Sequence, residues 1–342
     1  MSGSIGILTS GGDCPGLNAV IRGAVIKGTR IYERDFVGIR DGWRGLVEDD
    51  CIPLKRKRVR GLSGVGGTIL GTSRTNPYEG GGPDRVREVM ARHGMDAIIA
   101  IGGEGTLTAA RRLADEGIHV VGVPKTIDND LSATDYTFGF DTATSIATES
   151  IDRLRTTAEA HHRCMVVEVM GRHVGWIALH AGLASGAHAI LIPEVPTSLD
   201  DVAHWVREAK ERGRAPVVVA AEGAVLEGED SPVARHGLDA FGRPRLGGVA
   251  DRLAPMLEEV TGIETRSMTL GHLQRGGSPT AYDRVLATRF GTAAIDAVNA
   301  QKWGTMVALN GIDIVEVDLH RAVTELKTVP RSRYQEAAIL FG

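Results

Sequence analysis

The sequence predicts an α/β fold built around mainly parallel β-sheets. Short apolar runs rich in valine and isoleucine alternate along the chain with longer amphipathic stretches, which is the pattern of βα units. Glycine-rich turns follow several of the apolar runs, as expected where a parallel strand gives way to a helix. The chain has 342 residues, a length that favours two or three packed domains over one small core.

The clearest elements can be placed from these patterns. We expect strands over the short apolar runs at 5–9, 97–101, 120–123, 165–169, 189–192, 217–221 and 266–270. We expect helices over the amphipathic stretches at 17–27, 107–116, 142–160, 199–212 and 249–261. Because ligands of open α/β sheets bind at the carboxyl ends of strands, the turns after these strands should hold the functional residues.

The composition is that of an ordinary soluble globular protein, with 42% hydrophobic and 24% charged residues. The formal net charge of −4 excludes a global basic field that would recruit nucleic acid. No apolar stretch approaches the roughly 20 residues that span a bilayer, and the first residues lack a signal-peptide pattern. The three cysteines are far apart and form no CxxC pair, so their spacing indicates neither a disulfide framework nor a zinc site. We therefore expect a cytoplasmic protein with no nucleic-acid or membrane partner.

The first glycine-rich turn is GGDCPG at residues 11–16, between the predicted strand 5–9 and the predicted helix 17–27. Paired glycines let the backbone approach an anion closely, and the start of a helix adds its positive end. The turn matches neither GxxxxGK[ST] nor GxGxxG, so it is not a P-loop or a dinucleotide loop. Taken alone, it fits a ligand loop and a tight connection equally well.

The second glycine-rich turn is GGEGT at residues 102–106, and it also joins a strand to a helix. An acid beside a phosphate-binding loop is electrostatically unfavourable unless a cation lies between them, so Glu104 is a candidate magnesium ligand. The alternative is that Glu104 only interacts favourably with the helix dipole. Two such loops in one chain favour nucleotide binding.

A third turn, PKTIDND at residues 124–130, follows the strand at 120–123. Asp128 could take the proton of a hydroxyl nucleophile while Asp130 positions a metal ion or an arginine. The alternative is an Asx-type turn in which these side chains bond their own backbone. The residues alone leave both possibilities open.

Six motifs together resemble the phosphofructokinase family. SGGDCPGLNAVIR, GGTILGTSR, IGGEGT, PKTIDND, VEVMGRHVGW and LGHLQRGGSPTAYDR occur in the family's order and at similar spacings, from about residue 3 to residue 335. The sequence is most similar to the actinobacterial-type branch, in which some members use ATP and others use pyrophosphate.

The resemblance implies phosphoryl transfer from MgATP to the 1-hydroxyl of D-fructose 6-phosphate, a step of glycolysis, with Mg²⁺ as cofactor. It implies two similar αβα lobes with doubly wound sheets and the active site in the cleft between them. The ATP-binding lobe would comprise 1–139 plus about 274–303, and the fructose 6-phosphate-binding lobe 140–273 plus about 304–342. The expected assembly is a homotetramer.

The resemblance also assigns roles to individual residues. The donor would be bound by Gly11, Arg74, Gly102, Gly103, Glu104, Gly105, Thr106 and Lys125. Glu104 would hold Mg²⁺, at a position where many relatives have Asp. The sugar phosphate would be bound by Thr126, Asp128, Arg163, Met170, Gly171, Arg172, Glu222, Arg266, His272 and Arg275. Asp128 would be the catalytic base, assisted by Thr126, and Arg172 would neutralise the transferring phosphoryl group. Arg163 and Arg266 would reach a neighbouring subunit's site.

The motifs depart from the family pattern at two places. Relatives that use pyrophosphate have Asp at the position of Gly105 and Lys at that of Lys125, whereas well-studied ATP-using relatives have Gly at both. The pattern here is therefore mixed, and Gly105 favours ATP because it leaves room for the nucleotide. Ile26 and His188 replace an Arg and an acid of the family's effector site, which predicts weak or absent activation by ADP.

Three alternatives remain open from the sequence. The enzyme could use pyrophosphate, or it could be an ATP-dependent kinase of another sugar phosphate, such as sedoheptulose 7-phosphate. It could also be a catalytically inactive subunit, although Asp128, Arg172 and Arg275 are all present.

Overall fold

The computed structural model describes residues 3–229, 232, 234–238 and 244–342. The strands are, in chain order, β1 (Ser4–Thr9), β2 (Phe36–Ile39), β3 (Cys51–Pro53), β4 (Met95–Gly102), β5 (Val120–Pro124), β6 (Cys164–Val169), β7 (Ala189–Leu191), β8 (Val217–Ala221), β9 (Ala234–Leu238), β10 (Pro244–Leu246), β11 (Thr265–Thr269), β12 (Thr305–Asn310) and β13 (Asp313–Asp318).

The helices are α1 (Leu17–Ile31), α2 (Trp43–Glu48), α3 (Gly82–Arg92), α4 (Glu104–Asp115), α5 (Phe140–His161), α6 (Trp176–Ser185), α7 (Leu199–Glu211), α8 (Val249–Thr261), α9 (Ala281–Asn299), α10 (Leu319–Ala322) and α11 (Arg331–Ala338). Short 3₁₀ turns lie at Arg56–Val59, Leu62–Gly64, Pro77–Gly80 and Gly271–Arg275. Among the described residues, no helix is both long enough and apolar enough to cross a membrane.

The chain forms two compact units. Unit 1 comprises Met1–Thr142 and Arg275–Leu326, and unit 2 comprises Ala143–Gln274 and Lys327–Gly342. The boundaries predicted at 139 and 274 lie close to the first two crossings. The predicted return at about 304 differs from the structure, because β12 pairs in parallel with β5 and β13 pairs with β12. This pairing keeps residues 305–318 in unit 1.

Unit 1 is built on a seven-stranded sheet in the order β13-β12-β5-β4-β1-β2-β3. The five inner strands are parallel, and β3 and β13 pair antiparallel at the two edges. The central strand β4 is almost continuously apolar and buried, as expected for a parallel strand covered on both faces. The strand order reverses between β1 and β4, and this is the point where ligands of such sheets bind.

Unit 2 has a smaller, four-stranded parallel sheet in the order β11-β6-β8-β7. Its core includes Val166 and Val218 from the sheet, Val206 from α7, and Leu253 and Leu257 from α8. Strands β9 and β10 form a separate antiparallel pair. Both units are thus α/β with mainly parallel sheets, which confirms the predicted fold class.

Candidate active site

The two predicted phosphate loops begin side by side at one edge of the unit 1 sheet. In the register of β1 and β4, Thr9 lies opposite Ile101, and the N–H of Ser10 donates to the carbonyl of Ile101 at 3.0 Å. Gly11 has a φ of 85°, a left-handed conformation that L side chains rarely adopt. The turns at 11–16 and 102–106 therefore flank the switch point of the sheet.

The GTSR segment holds the first loop in place. The N–H of Gly11 donates to the carbonyl of Ser73 at 2.9 Å, and the hydroxyl of Thr72 donates to the carbonyl of Gly11 at 2.6 Å. Arg74 follows directly and is exposed. The structure therefore brings Arg74 next to the first loop, and its role in binding the donor stays a prediction.

The second loop opens α4, whose first residue is the exposed Glu104. No side chain of the described residues caps this helix, so its first N–H groups can bind an anion. A Cβ on Gly102 would lie 2.4 Å from the hydroxyl oxygen of Thr106, and one on Gly11 would lie 3.6 Å from the same atom. The buried Thr106 thus connects the two loops, and Gly102 has no room for a side chain.

Gly105, in contrast, is not required by the fold. A Cβ at this position would have no heavy atom of the described residues within 4 Å, apart from its own helix backbone and chain neighbours, and its φ lies outside the left-handed region. The residue is exposed in the first turn of α4. Neither packing nor backbone conformation therefore explains the glycine, and the space beside it is open.

Lys125 brings a cation to the same edge of the sheet. Its backbone N–H donates to the carbonyl of Gly102 at 2.9 Å, and its ammonium group donates to the carbonyl of Gly12. The side chain is buried, at 4% exposure. Burial lowers the pKa of Lys125 and the charge of Arg275 lowers it further, while nearby anionic groups raise it. The ammonium group lies close enough to the first loop to contact a phosphate bound there.

Arg275 also contacts the first loop in unit 1. Its Nη1 atom donates to the carbonyl of Asp13 at 3.1 Å, and a Cβ on Gly12 would lie 2.6 Å from this atom. The guanidinium group thus packs on the backbone of the first loop. Its predicted role in sugar phosphate binding stays a prediction.

The PKTIDND turn is held by its neighbours rather than by the predicted base. The N–H of Thr137 donates to the amide oxygen of Asn129 at 3.1 Å, and its hydroxyl donates to the carbonyl of Thr126 at 2.7 Å. The N–H of Asp128 donates to the hydroxyl of Thr126 at 3.0 Å. The Asx-type alternative has support at Asp130, whose carboxylate accepts hydrogen bonds from its own backbone N–H and from Thr126.

Asp128 and Asp130 form a coupled pair of carboxyl groups. Burial raises the pKa of Asp130 to about 6, and the charge of Asp128 contributes to this rise. Two carboxylates that share a poorly solvated place resist ionising together, and their protons belong to the pair. Above pH 6 the pair can therefore accept a proton from a nearby hydroxyl.

In unit 2, parallel pairing brings the VMGR segment and Glu222 together. Val169 and Ala221 lie opposite each other at the ends of β6 and β8, and the N–H of Glu222 donates to the carbonyl of Val169 at 2.9 Å. Gly171 has a φ of 141°, and a Cβ there would lie 2.6 Å from the carbonyl of Val174. These contacts place Met170, Gly171, Arg172 and Glu222 at one edge of the sheet.

Gln274, which the sequence analysis did not single out, connects the GHLQR turn to this edge. It is fully buried, its amide oxygen accepts from the N–H of Met170 at 3.3 Å, and its amide nitrogen donates to the carbonyl of Gly271 at 3.0 Å. The exposed His272 lies in the same 3₁₀ turn. The sequence offered one signal for this contact, a glutamine within the LGHLQRGG motif. That signal becomes informative only once the residue is known to be buried.

Arg163 and Arg266 lie at the other end of the unit 2 strands, near the amino ends of β6 and β11. Arg163 precedes β6, and Arg266 pairs with Met165 near the start of that strand. Both form ion pairs with Glu264, that of Arg163 with a distance of 2.8 Å from Nε to Oε2. At about 3.3 Å per strand residue, Arg163 and Met170 are separated by roughly 20 Å. Within unit 2, the structure therefore does not bring these two arginines to the VMGR segment.

Comparison with known proteins agrees with the motifs. The family model described as Phosphofructokinase matches residues 4–298. The chain is 61% identical over 339 residues to the pyrophosphate–fructose 6-phosphate 1-phosphotransferase of Amycolatopsis methanolica, with 99% of each chain covered. It is 54% identical over 335 residues to ATP-dependent 6-phosphofructokinase 3 of Streptomyces coelicolor, with 97% of this chain and 98% of the relative covered.

A solved structure leads to the same family. Phosphofructokinase from Pichia pastoris in the T-state superimposes with a TM-score of 0.84 and 32% identity, covering 99% of this chain and 36% of that chain. The chain thus spans about a third of the Pichia chain but nearly the whole of its two bacterial relatives. From the matched residues, the identities and the shared fold, the chain belongs to the phosphofructokinase family.

Proposed function

We propose that the chain transfers the γ-phosphoryl group of MgATP to the 1-hydroxyl of D-fructose 6-phosphate, giving fructose 1,6-bisphosphate and ADP. Membership of the phosphofructokinase family supports a phosphoryl transfer to this sugar phosphate. The names of the two bacterial relatives agree on fructose 6-phosphate and differ in the donor. The donor must therefore be argued from this chain's own residues.

The open space beside Gly105 carries the choice of ATP. The glycine is not required by packing or by its backbone conformation, so the space that a side chain would fill is available to a ligand. Position 105 follows the proposed magnesium ligand Glu104, where a nucleotide would continue from its β-phosphate to its α-phosphate. A side chain here would take up that space, and an Asp would also repel the α-phosphate.

The donor phosphates would bind across the two glycine-rich turns. The uncapped start of α4 offers N–H groups and a positive dipole end, and the ammonium group of Lys125 lies against the first loop. Arg74 extends from the segment that holds Gly11. Glu104 is an exposed carboxylate at this helix start, which suits a hard cation that keeps several of its waters. When bound, Mg²⁺ would neutralise charge on the phosphates.

Asp128 would take the proton of the sugar 1-hydroxyl as its oxygen attacks phosphorus. Burial raises the pKa of the coupled Asp130 to about 6, so the pair of carboxyl groups can accept one proton near neutral pH, as a general base must. Thr126 is hydrogen-bonded to the backbone of Asp128 and would help to orient the base. Arg172 would stabilise the charge that develops on the phosphoryl oxygens.

The sugar phosphate would be held by Met170, Gly171, Glu222 and His272, with Arg275 as a further cation. Arg163 and Arg266 would complete the site of a neighbouring subunit in a homotetramer. Their position at the other end of the unit 2 strands from Met170 supports this, because a residue that cannot reach its own chain's VMGR segment can still reach that of another chain.

Pyrophosphate is the second candidate donor. Relatives of 61%, 60% and 56% identity carry the name pyrophosphate–fructose 6-phosphate 1-phosphotransferase, and a buried lysine at the phosphate loops fits either donor. The two candidates differ only in whether anything extends past the β-phosphate.

A direct comparison of the two donors tests the proposal. Initial rates of the purified full-length chain are measured with saturating fructose 6-phosphate and varied MgATP or magnesium pyrophosphate, and again with sedoheptulose 7-phosphate as the acceptor. We expect a higher kcat/KM for ATP than for pyrophosphate, and for fructose 6-phosphate than for sedoheptulose 7-phosphate. Turnover with pyrophosphate but not with ATP would overturn the donor assignment and leave the family assignment intact.

A further inference from the structure

A cluster of metal-binding side chains lies in unit 1, on elements that carry none of the phosphate-loop residues. Asp49 directly follows α2, Cys51 begins the edge strand β3, and His93 directly follows α3. Their ligand atoms, a carboxylate oxygen, a thiol sulfur and an imidazole nitrogen, all lie within 4.8 Å of one another. Asp49 and Cys51 are two positions apart, but His93 lies 42 positions beyond Cys51, so no local spacing motif predicts all three.

The three donor types define the class of ion. Thiolate and imidazole prefer zinc-class divalent cations over Mg²⁺ or Ca²⁺, and one carboxylate is compatible with the same site. Tetrahedral coordination with bonds of 2.0–2.3 Å places neighbouring donors about 3.3–3.8 Å apart. Nε2 of His93 and Oδ1 of Asp49 are 2.6 Å apart, and the largest separation in the cluster is under 4.8 Å. Side-chain shifts of about 1 Å therefore produce the required spacing.

The backbones that carry the ligands are already fixed. The N–H of Asp49 bonds to the carbonyl of Gly45 at the end of α2, Cys51 is in register with Ile39 in the β2–β3 ladder, and the N–H of His93 donates to the carbonyl of Val89 at 3.1 Å. Binding would thus order only side chains, which lowers its entropic cost.

Arg92, which contacts the cluster, does not prevent a cation from binding there. Arg92 forms an ion pair with Asp49, and a second one with Glu88 at 2.5 Å. The guanidinium group therefore keeps an anionic partner when a cation takes over the Asp49 carboxylate. The cation must displace the proton of the thiol, as metal binding to cysteine generally does.

Access to the cluster is open on one side. The side chain of Asp49 is 17% exposed and that of His93 is 29% exposed, and Cys51 is partly exposed whereas Cys14 and Cys164 are buried. Cys51 is thus the thiol that an ion from solution can reach. Three protein ligands with solvent beside them leave a fourth position for water.

We propose that Asp49, Cys51 and His93 bind one zinc-class divalent cation per chain, with water as the fourth ligand. The site is independent of the donor and of the sugar phosphate.

Cobalt(II) is the probe, because a thiolate–cobalt bond gives an intense charge-transfer absorption that oxygen ligands alone do not give. The full-length protein is stripped of metal with a chelator, kept reduced, and titrated with Co²⁺. We expect the charge-transfer band to saturate at one equivalent per chain. Zinc added in excess should abolish it.

Variants assign the ligands. Cys51→Ser should remove the band, and His93→Gln and Asp49→Asn should each weaken cobalt binding at least about tenfold. His320→Gln is the matched control. His320 and Asp115 form a similar histidine–aspartate pair, 2.8 Å apart from Nε2 to Oδ1, and this pair does not belong to the metal-binding cluster found among the described residues. This variant should titrate like the wild type.

The proposal is overturned if the wild type shows no charge-transfer band, or if the band persists in Cys51→Ser. It is also overturned if His93→Gln and Asp49→Asn both titrate like the wild type. Should Cys51→Ser fail to fold, the two other variants still decide the matter, because they replace partly exposed side chains with others of similar size.

Discussion

The donor assignment can be tested at a single position by replacing Gly105 with Asp and with Asn. Asp and Asn have nearly the same size, so their difference isolates the charge. Neither should disturb the fold, because a Cβ at 105 has no heavy atom of the described residues within 4 Å apart from its helix backbone and chain neighbours. An acid in the first turn of α4 also interacts favourably with the helix dipole, and replacing glycine lowers the entropy of the unfolded chain.

The expected loss follows from the repulsion between the new carboxylate and the α-phosphate. At about 4 Å, two like charges repel by about 1 kcal/mol in water and by about 4 kcal/mol near a protein surface of lower dielectric. These values correspond to losses of about fivefold and about 10³-fold in kcat/KM. Because position 105 is exposed, screening favours the lower part of this range, and we expect Gly105→Asp to lose about tenfold or more with ATP.

The assay is kcat/KM for MgATP and for magnesium pyrophosphate in the wild type and both variants, with thermal unfolding as the check on folding. Gly105→Asn should lose less ATP activity than Gly105→Asp, and the pyrophosphate rate should not share the loss because pyrophosphate has no α-phosphate. Equal losses in the two variants would show that bulk, rather than charge, excludes the nucleotide. Unchanged ATP activity in both would refute the placement of the donor beside residue 105.

Four further outcomes are expected. Asp128→Asn should keep the fold and lower kcat by about 10²–10⁴-fold, as loss of a general base does; near-native turnover would remove the base assignment. In the wild type, kcat should fall as pH drops through about 6, where the coupled pair of Asp128 and Asp130 takes up a proton. Asp130→Asn should move this fall to lower pH because it removes the like charge beside the base, and an unmoved fall would contradict the coupling. Asp128→Asn and Arg266→Ala chains, each inactive alone, should regain activity when co-assembled, whereas no recovery in demonstrably mixed oligomers would argue against a shared site. ADP should shift the fructose 6-phosphate saturation curve little. Burial and nearby arginines lower the pKa of His188 to about 4, and its neutral ring cannot replace the acid of the family's effector site. A large shift would show that other residues build such a site.

Local patterns were sufficient to place several strands and helices. The strand predicted at 120–123 is Val120–Pro124, and the helix predicted at 249–261 has those bounds in the structure. The strand at Thr305–Asn310 shows where such patterns fail. Its assignment to unit 1 depends on pairing with β5, far away in the sequence, and nothing in its own residues specifies that partner.

The candidate site was likewise predictable from the sequence only in part. The turns at 11–16 and 102–106 could be paired from sequence, because both follow parallel strands and glycine makes them visible. The position of Arg275 could not, because its contact with the Asp13 carbonyl joins two segments that only the tertiary fold brings together. Gln274 was missed for a similar reason, since its bond to the N–H of Met170 depends on burial.

The geometry also explains why Lys125 is a poor indicator of the donor. Its ammonium group bonds to the carbonyl of Gly12, so it lies at the first loop, where the two terminal phosphates of either donor would bind. An ammonium group stabilises any phosphate within reach, and ATP and pyrophosphate are alike at that end. They differ beyond the β-phosphate, which in the proposed binding mode would lie past Glu104, beside position 105. The choice of donor in this chain should therefore depend on whether residue 105 has a side chain, and on its charge, and not on the presence of Lys125.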